Sequence, residues 1–251
     1  MSPLFSQDRE VWILEGKLIL QPRLRTIADL VPVGSRLADI GTDHGYIPVA
    51  LLLEGRIGQA IASDIGVEPL AHARRTADAY GIENDVIDFR LCDGLKGISS
   101  EETDCVVIAG MGGDNIVSIL DAAPWTRDGC TLLLQPMSKA EVLRAWLPEH
   151  GYVVTAERLV ADKGVIYPIL TVEGGEMLSA SPAQTWGGFL LNRDPLWGLY
   201  LEDRLLRLRR VFSGLSKARG SDLKEKKEEL QAVITELEAL KGDWLNAGNC
   251  T

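Results

Sequence analysis

The residues Leu37-Ala38-Asp39-Ile40 end an apolar run in an acid, and Gly41-Thr42-Asp43-His44-Gly45-Tyr46 leads into a second apolar run, Ile47 to Leu53. Two later apolar runs also end in acids, Asp64 in Ala60-Ile61-Ala62-Ser63-Asp64-Ile65 and Asp93 in Phe89-Arg90-Leu91-Cys92-Asp93-Gly94. A carboxylate at the end of a strand accepts hydrogen bonds from the hydroxyl or amino groups of a nucleoside. Glycines beside it, lacking Cβ, let the backbone turn sharply and approach the ligand. Gly41 and Gly45 supply that freedom in the first turn. Asp64 follows Gly41 by 23 residues, the separation at which an acid closing the second strand meets ribose hydroxyls.

The first turn also discriminates between cofactors. It reads Gly-x-x-x-Gly rather than the Gly-x-Gly-x-x-Gly that cradles a pyrophosphate at a helix N-terminus, and it contains Asp43. A carboxylate there repels a pyrophosphate and suits a cationic sulfonium or ammonium group. Asp93-Gly94, closing the third strand, fits an acceptor for an adenine amino group. These features favour S-adenosylmethionine (SAM) over NAD.

A fourth apolar run, Cys105 to Ala109, leads into Gly110-Met111-Gly112-Gly113-Asp114-Asn115. Three glycines around one methionine bring backbone carbonyls close to an acceptor nitrogen and leave room for a flat base, against which Met111 packs softly. The alternative is a tight turn into a helix capped by Asp114. Glycine density at the carboxyl end of a strand favours the site. Tyr167 admits two readings: an aromatic that stacks on a base or donates its hydroxyl near the reacting edge, or an interior strand residue before an edge-strand proline. His72 and His150 read as surface or helix-end residues. No His, Cys, Asp or Glu group has the spacing of a metal site, and none is expected.

These residues need a scaffold, and the periodicity supplies one. Helices are predicted over 22–30, 45–54, 67–80, 112–121 and 138–150. Strands are predicted over 36–41, 57–63, 86–91, 104–109 and 130–135, followed by an antiparallel pair, 152–160 and 165–172. Alternation of this kind means an α/β fold with a mostly parallel sheet of seven strands covered on both faces, and a ligand at the carboxyl ends of the strands. Beyond about residue 175 strand signals fade. Leu205, Leu208, Phe212 and Leu215 form one helical stripe and Leu223, Leu230, Ile234, Leu237 and Leu240 another, separated by Gly220-Ser221-Asp222. That pattern predicts an antiparallel helical hairpin or short coiled coil. The expected division is a SAM-binding domain over 1–174, with 1–16 as an N-terminal extension of no assigned function, and a helical domain over 175–251.

The chain has 251 residues, 46% of them hydrophobic and 25% charged, enough for a sizeable core. No stretch approaches the roughly 20 apolar residues that span a bilayer, and no leader pattern opens the chain. Its four cysteines form no Cys-x-x-Cys pair. They read as reduced structural residues, and a cytoplasmic protein is expected. A net charge of −10 lacks the positive field of a generic nucleic-acid binder. Between residues 201 and 230, however, nine basic residues face six acidic ones. Arg207, Arg210, Lys217 and Arg219 are candidates to meet phosphates along one helical face. A solvated face held by i,i+4 pairs is the other reading.

The blocks Asp39 to Pro48, Ala62 to Ile65, Cys92 to Leu95, Ile108 to Gly113, Leu134 to Pro136 and Tyr167 to Leu170 together resemble the bacterial tRNA (adenine-N1) methyltransferases that modify position 22. The resemblance covers about residues 17 to 240. It implies a class I SAM-dependent methyltransferase domain, Rossmann-like, with a C-terminal coiled coil. It places cofactor contacts at Gly41, His44, Gly45, Asp64, Ile65, Asp93, Gly94, Gly110, Met111, Gly112 and Gly113. The implied substrate is tRNA, recognised through shape and phosphates after the base is unstacked, with the basic hairpin as its grip. Asp43 and Tyr167 are the catalytic candidates. A monomer or weak dimer is expected, the hairpin being a possible dimer contact. A small-molecule methyltransferase, an NAD-dependent oxidoreductase and a non-catalytic RNA- or protein-binding module stand as alternatives.

Overall fold

The computed structural model describes residues 4–5, 11–14, 17–217 and 223–247. The N-terminal segment forms a small antiparallel sheet of β1 (Leu4–Phe5), β2 (Val11–Leu14) and β3 (Lys17–Leu20). Helix α1 (Pro22–Leu30) follows, its Pro22 placed in the first turn where a missing N–H costs nothing.

The main body is built from β4 (Arg36–Ile40), α2 (Tyr46–Leu53), β5 (Gln59–Asp64), α3 (Val67–Ala79), β6 (Ile87–Leu91), β7 (Cys105–Gly112), α4 (Gly113–Asp121), β8 (Thr131–Ser138), α5 (Ala140–Glu149), β9 (Tyr152–Asp162) and β10 (Val165–Gly174). The seven strands lie in the order β6-β5-β4-β7-β8-β10-β9. The first four neighbouring pairs are parallel, and β10 runs antiparallel to both β8 and β9. Chain order runs outward in one direction from β4 to β6 and in the other from β7, so the reversal falls between β4 and β7. Open α/β sheets bind ligands in the crevice that forms there, outside the carboxyl ends of the strands.

Strands buried on both faces explain the apolar runs. Leu37, Val107 and Leu133 pack toward α1, α2 and α3, while Ala38, Ile108 and Leu134 pack toward α4 and α5. The buried thiols of Cys105 and Cys130 belong to these layers, and burial pushes Cys130 up to about 12 and Cys105 upward as well. Cys250 lies outside the described residues.

One expectation and two of the alternative readings need correction. Strand β7 continues through Gly112 instead of ending at 109, so most of the glycine cluster is strand rather than loop. Asp114 is not a helix cap: Gly112 holds that position, and Asp114 pairs with Lys139 at 2.7 Å. Pro168 does not sit on an edge strand, because β10 lies between β8 and β9. It is tolerated because β8 pairs with β10 only from Leu170 to Val172, leaving Pro168 with β9 as its one neighbour.

The C-terminal region contains α6 (Pro182–Gly187), α7 (Trp197–Lys217) and α8 (Leu223–Asn246). Ser181 and Gln184 form a capping box at the start of α6. Helices α7 and α8 run antiparallel, tied by Arg209 to Glu238 (2.6 Å) and Lys241 to Glu202 (3.4 Å). Their apolar stripe, including Leu205, Leu208, Ile234 and Leu237, is buried within the chain together with Trp197, Tyr200 and Trp244. The turn at Gly220-Ser221-Asp222 lies outside the described residues. One fully buried ion pair fastens this layer to the sheet. Arg144 Nε donates to Glu157 Oε1 at 2.8 Å, and Arg144 Nη1 donates to the Thr185 carbonyl and the Tyr200 hydroxyl. Glu157 Oε2 in turn accepts from the amides of Phe189 and Leu190.

Candidate active site

A cleft of about 570 Å³ opens at the sheet reversal, lined by the turns after β4, β5, β6 and β7 and by Arg23 of α1. Among the predicted site residues it takes in Gly41, Asp43, Asp64, Ile65, Asp93, Gly94, Gly110 and Met111. His44, Gly45, Gly112, Gly113 and Tyr167 do not line it. Asp39, Thr42, Arg23 and Asn115, which the sequence did not single out as contacts, do.

The first turn is shaped by backbone demands. Gly41, Asp43 and Gly45 all adopt positive φ, 69°, 50° and 67°. A Cβ on Gly41 would stand 2.2 Å from Met111 Cε, so the glycine lets the two turns meet across the reversal. Asp64 is fixed by its own neighbours: Gly66 N–H donates to Oδ1 at 2.8 Å and Asp43 N–H to Oδ2 at 3.3 Å. Two amide donors aim this carboxylate while leaving it partly exposed at the cleft, as an acceptor for two hydroxyls requires. Asp93 is exposed and pairs with Lys96 at 2.5 Å.

Asp39 is buried beneath the turn and accepts the Thr42 hydroxyl at 2.6 Å. Burial pushes its carboxyl up to about 6; the Thr42 hydroxyl opposes that shift and the charge of Asp64 adds to it. With Asp39, Asp43, Asp64 and Asp93 on one side and Arg23 on the other, the lining favours a cationic ligand and disfavours a pyrophosphate. SAM, with its sulfonium, ribose and adenine, fits these donors and acceptors.

Folding also brings His72 onto the first turn, which the sequence placed at the surface. The His44 ring stacks on Tyr46, with centroids 5.1 Å apart, and on His72 at 4.8 Å. One potential ligand atom from each of Asp43, His44 and His72 lies within 4.8 Å of the others. No metal spacing is visible in the sequence because His72 arrives from α3. The two imidazole rings are stacked, 22° from parallel, and His44 Nε2 lies 3.6 Å from Asp43 Oδ1. His150 caps α5, its Nδ1 on the Trp146 carbonyl at 2.8 Å.

Of the predicted phosphate contacts, Arg207 is about half exposed and pairs with Asp203 at 3.0 Å, and Arg210 is exposed on α7. Arg219 and the side chain of Lys217 lie outside the described residues.

A Rossmann-like sheet with an acid-lined cleft at its reversal defines a class I methyltransferase. Accordingly, the family model for the methyltransferase domain matches residues 20–170. The chain is 32% identical over 234 residues to the tRNA (adenine(22)-N(1))-methyltransferase of Bacillus subtilis, covering 90% of this chain and 97% of that protein. The crystal structure of the Bacillus subtilis M1A22 tRNA methyltransferase TrmK superposes with a TM-score of 0.81 at 30% identity, covering 90% of this chain and all of that one. A Streptococcus pneumoniae protein solved in complex with S-adenosyl-L-methionine superposes at 0.72 with 30% identity, covering 84% of this chain and 98% of that one. The chain belongs to the bacterial tRNA (adenine(22)-N(1))-methyltransferase family.

Proposed function

We propose that this protein methylates N1 of adenine 22 in tRNA, with SAM as the methyl donor bound in the cleft between the β4 and β7 turns. The observation that carries the reading is the charge of that cleft, where four carboxylates, one of them held by two backbone amides, face a single arginine. The same charges disfavour an NAD-dependent oxidoreductase. A small-molecule methyltransferase would have no use for a basic helical hairpin, and a binding module would have no use for a complete donor site.

Bound there, SAM supplies an electrophilic methyl group on a sulfonium. Asp64 would hold the ribose hydroxyls and Asp93 with Gly94 the adenine edge, with the exposed side chain of Ile65 offering apolar surface to the base. Adenine N1 keeps its lone pair in the neutral base, so no side chain has to remove a proton before attack. The chain's contribution is alignment of N1 in line with the methyl group, together with acceptors for the amino group as positive charge builds on the base. Asp43 in the β4 turn and the backbone carbonyl at Gly110 are the groups assigned to that work; Tyr167, the other catalytic candidate, stands outside the cleft lining beside Arg23.

The division into a methyltransferase domain over 1–174 and a helical domain over 175–251 follows the same reading, with Arg207, Arg210, Lys217 and Arg219 meeting tRNA phosphates. The hairpin's apolar stripe is used inside the chain, which supports a monomer or at most a weak dimer. Among the described residues no helix is long and apolar enough to cross a membrane. A tRNA substrate supports a cytoplasmic location.

The test is methyl transfer from labelled SAM to tRNA lacking the modification, followed by nuclease digestion and mass identification of the nucleoside and its position. N1-methyladenosine at position 22 is expected. A folded, SAM-binding protein that gives no such product would overturn the assignment.

A further inference from the structure

Strand β7 contains, near its carboxyl end, a bulge that the sheet ladder itself does not hold. Ala109 pairs with Gln135 and Met111 with Pro136, leaving Gly110 without a partner on β8. Pro136 has no N–H to offer a continuing ladder, and Gly110 takes φ +80. Bulges of this kind re-aim the backbone beside active sites. A side chain replaces the missing ladder bond. The Gly110 N–H donates to Gln135 Oε1 at 3.2 Å, and Arg23 Nη1 donates to the same oxygen at 2.8 Å.

Two donors converging on one amide atom identify it as the carbonyl oxygen. Gln135 has no solvent exposure and Arg23 has 7%, so the shared oxygen is shielded from water, while Gly110 itself is exposed at the cleft. Arg23 is held in turn from the antiparallel pair: its Nε lies 3.7 Å from Asp162 Oδ2 at the end of β9, and its guanidinium carbon is 6.0 Å from the centre of the Tyr167 ring on β10. A buried polar chain therefore runs Asp162, Arg23, Gln135, Gly110 and ends in the cleft lining.

We propose that Gln135 and Arg23 are positioning residues for methyl transfer, holding the Gly110 bulge where the acceptor base must lie, with Arg23 coupling that bulge to the β9–β10 pair. Gln135, outside the cleft lining, acts through the backbone, and Arg23 both braces Gln135 and lines the cleft. The proposal rests on the reading of this cleft as the methyl-transfer site.

The test compares Gln135→Leu, which removes the acceptor at similar volume, with Gln135→Glu, which keeps an oxygen for both donors, and with Arg23→Gln. Three quantities are read: SAM affinity by calorimetry, single-turnover methylation of saturating tRNA, and hydrogen exchange of the Gly110 amide by NMR. Gln135→Leu is expected to slow turnover by about 100-fold, the cost of a misplacement near 1 Å. SAM affinity should stay within about threefold, since the donor-binding turns after β4 and β5 are not part of the chain. Exchange at Gly110 should quicken at least about tenfold as its acceptor disappears. Gln135→Glu should recover most of the rate and the protection, and Arg23→Gln should fall between.

Turnover of Gln135→Leu near that of the unaltered enzyme would overturn the proposal, as would Gln135→Glu no better than Gln135→Leu, or loss of SAM affinity in step with rate. If the unaltered enzyme gives no product at adenine 22, the functional reading fails. The clamp is then judged on Gly110 exchange alone, and unchanged exchange in Gln135→Leu overturns it.

Discussion

The backbone amide of Asp43 donates to the carboxylate of Asp64 at 3.3 Å, so the turn after β4 aims the acid that closes β5. The Gly66 amide holds the other oxygen at 2.8 Å. The ribose acceptor of one strand is thereby built partly by its neighbour.

Replacing Asp64 with Ala should weaken SAM binding by at least about tenfold, because a hydrogen bond to a charged group contributes roughly 1.5–3 kcal/mol. Asp64→Asn keeps one acceptor oxygen and should retain an intermediate affinity. Calorimetric titration with SAM measures both, and retained affinity in Asp64→Ala would refute the ribose assignment.

Asp39 should make stability fall as pH rises. Its carboxyl is pushed from an ordinary value of 3.8 to about 6 in the folded chain, so the native state binds the proton more tightly than the unfolded state. The stabilisation is complete below about pH 4 and is lost as pH rises through about 6, a change on the order of 3 kcal/mol. Asp39→Asn accepts the Thr42 hydroxyl without titrating. The difference in unfolding free energy between the two proteins should therefore drift in favour of Asp39→Asn between pH 4 and 7, measured by urea unfolding at successive pH values.

The buried Arg144–Glu157 pair should behave asymmetrically toward mutation. Glu157→Ala strands a guanidinium and the Phe189 and Leu190 amides, and a cost of about 3–5 kcal/mol is expected from removing one buried partner. Replacing both residues together, Arg144→Met with Glu157→Leu, should cost less than the sum of the single changes. Denaturant midpoints of the unaltered protein, Arg144→Met, Glu157→Leu and the double variant give the coupling, and simple additivity would argue against a linked pair.

Neutralising Arg207 and Arg210 together should weaken tRNA binding while SAM affinity is unchanged. Each lost phosphate contact should lower the slope of log affinity against log salt by about 1. Arg207 already pairs with Asp203, so Arg210 should show the larger effect. Filter binding of tRNA across a salt series provides the slope, and unchanged affinity would remove the hairpin from recognition.

The order of helices and strands from Pro22 to Gly174 was legible in the sequence because fully buried strands read as short apolar runs and the helices between them keep a 3.6-residue period. The carboxyl-end positions of Asp64, Asp93 and Gly41 followed from the same alternation. The N-terminal sheet was not legible, since its short strands carry little periodic signal. Helix α6 was missed for its length, and the start of α7 at Trp197 because its first turn packs inward through aromatics.

Local pattern alone determined the sheet class, the βα turns and the negative lining that selects a cationic donor. These depend on residues close in sequence, whose strand or helix preference is set by their own periodicity. Tertiary structure decided which groups meet. Arg23 reaches Gln135 across 112 positions, His72 stacks on His44 from another element, and Arg144 finds Glu157 beneath the helical layer. Such partners are chosen by the crossing of elements in space, and a buried arginine reads in one dimension like any surface one until its desolvation has to be compensated.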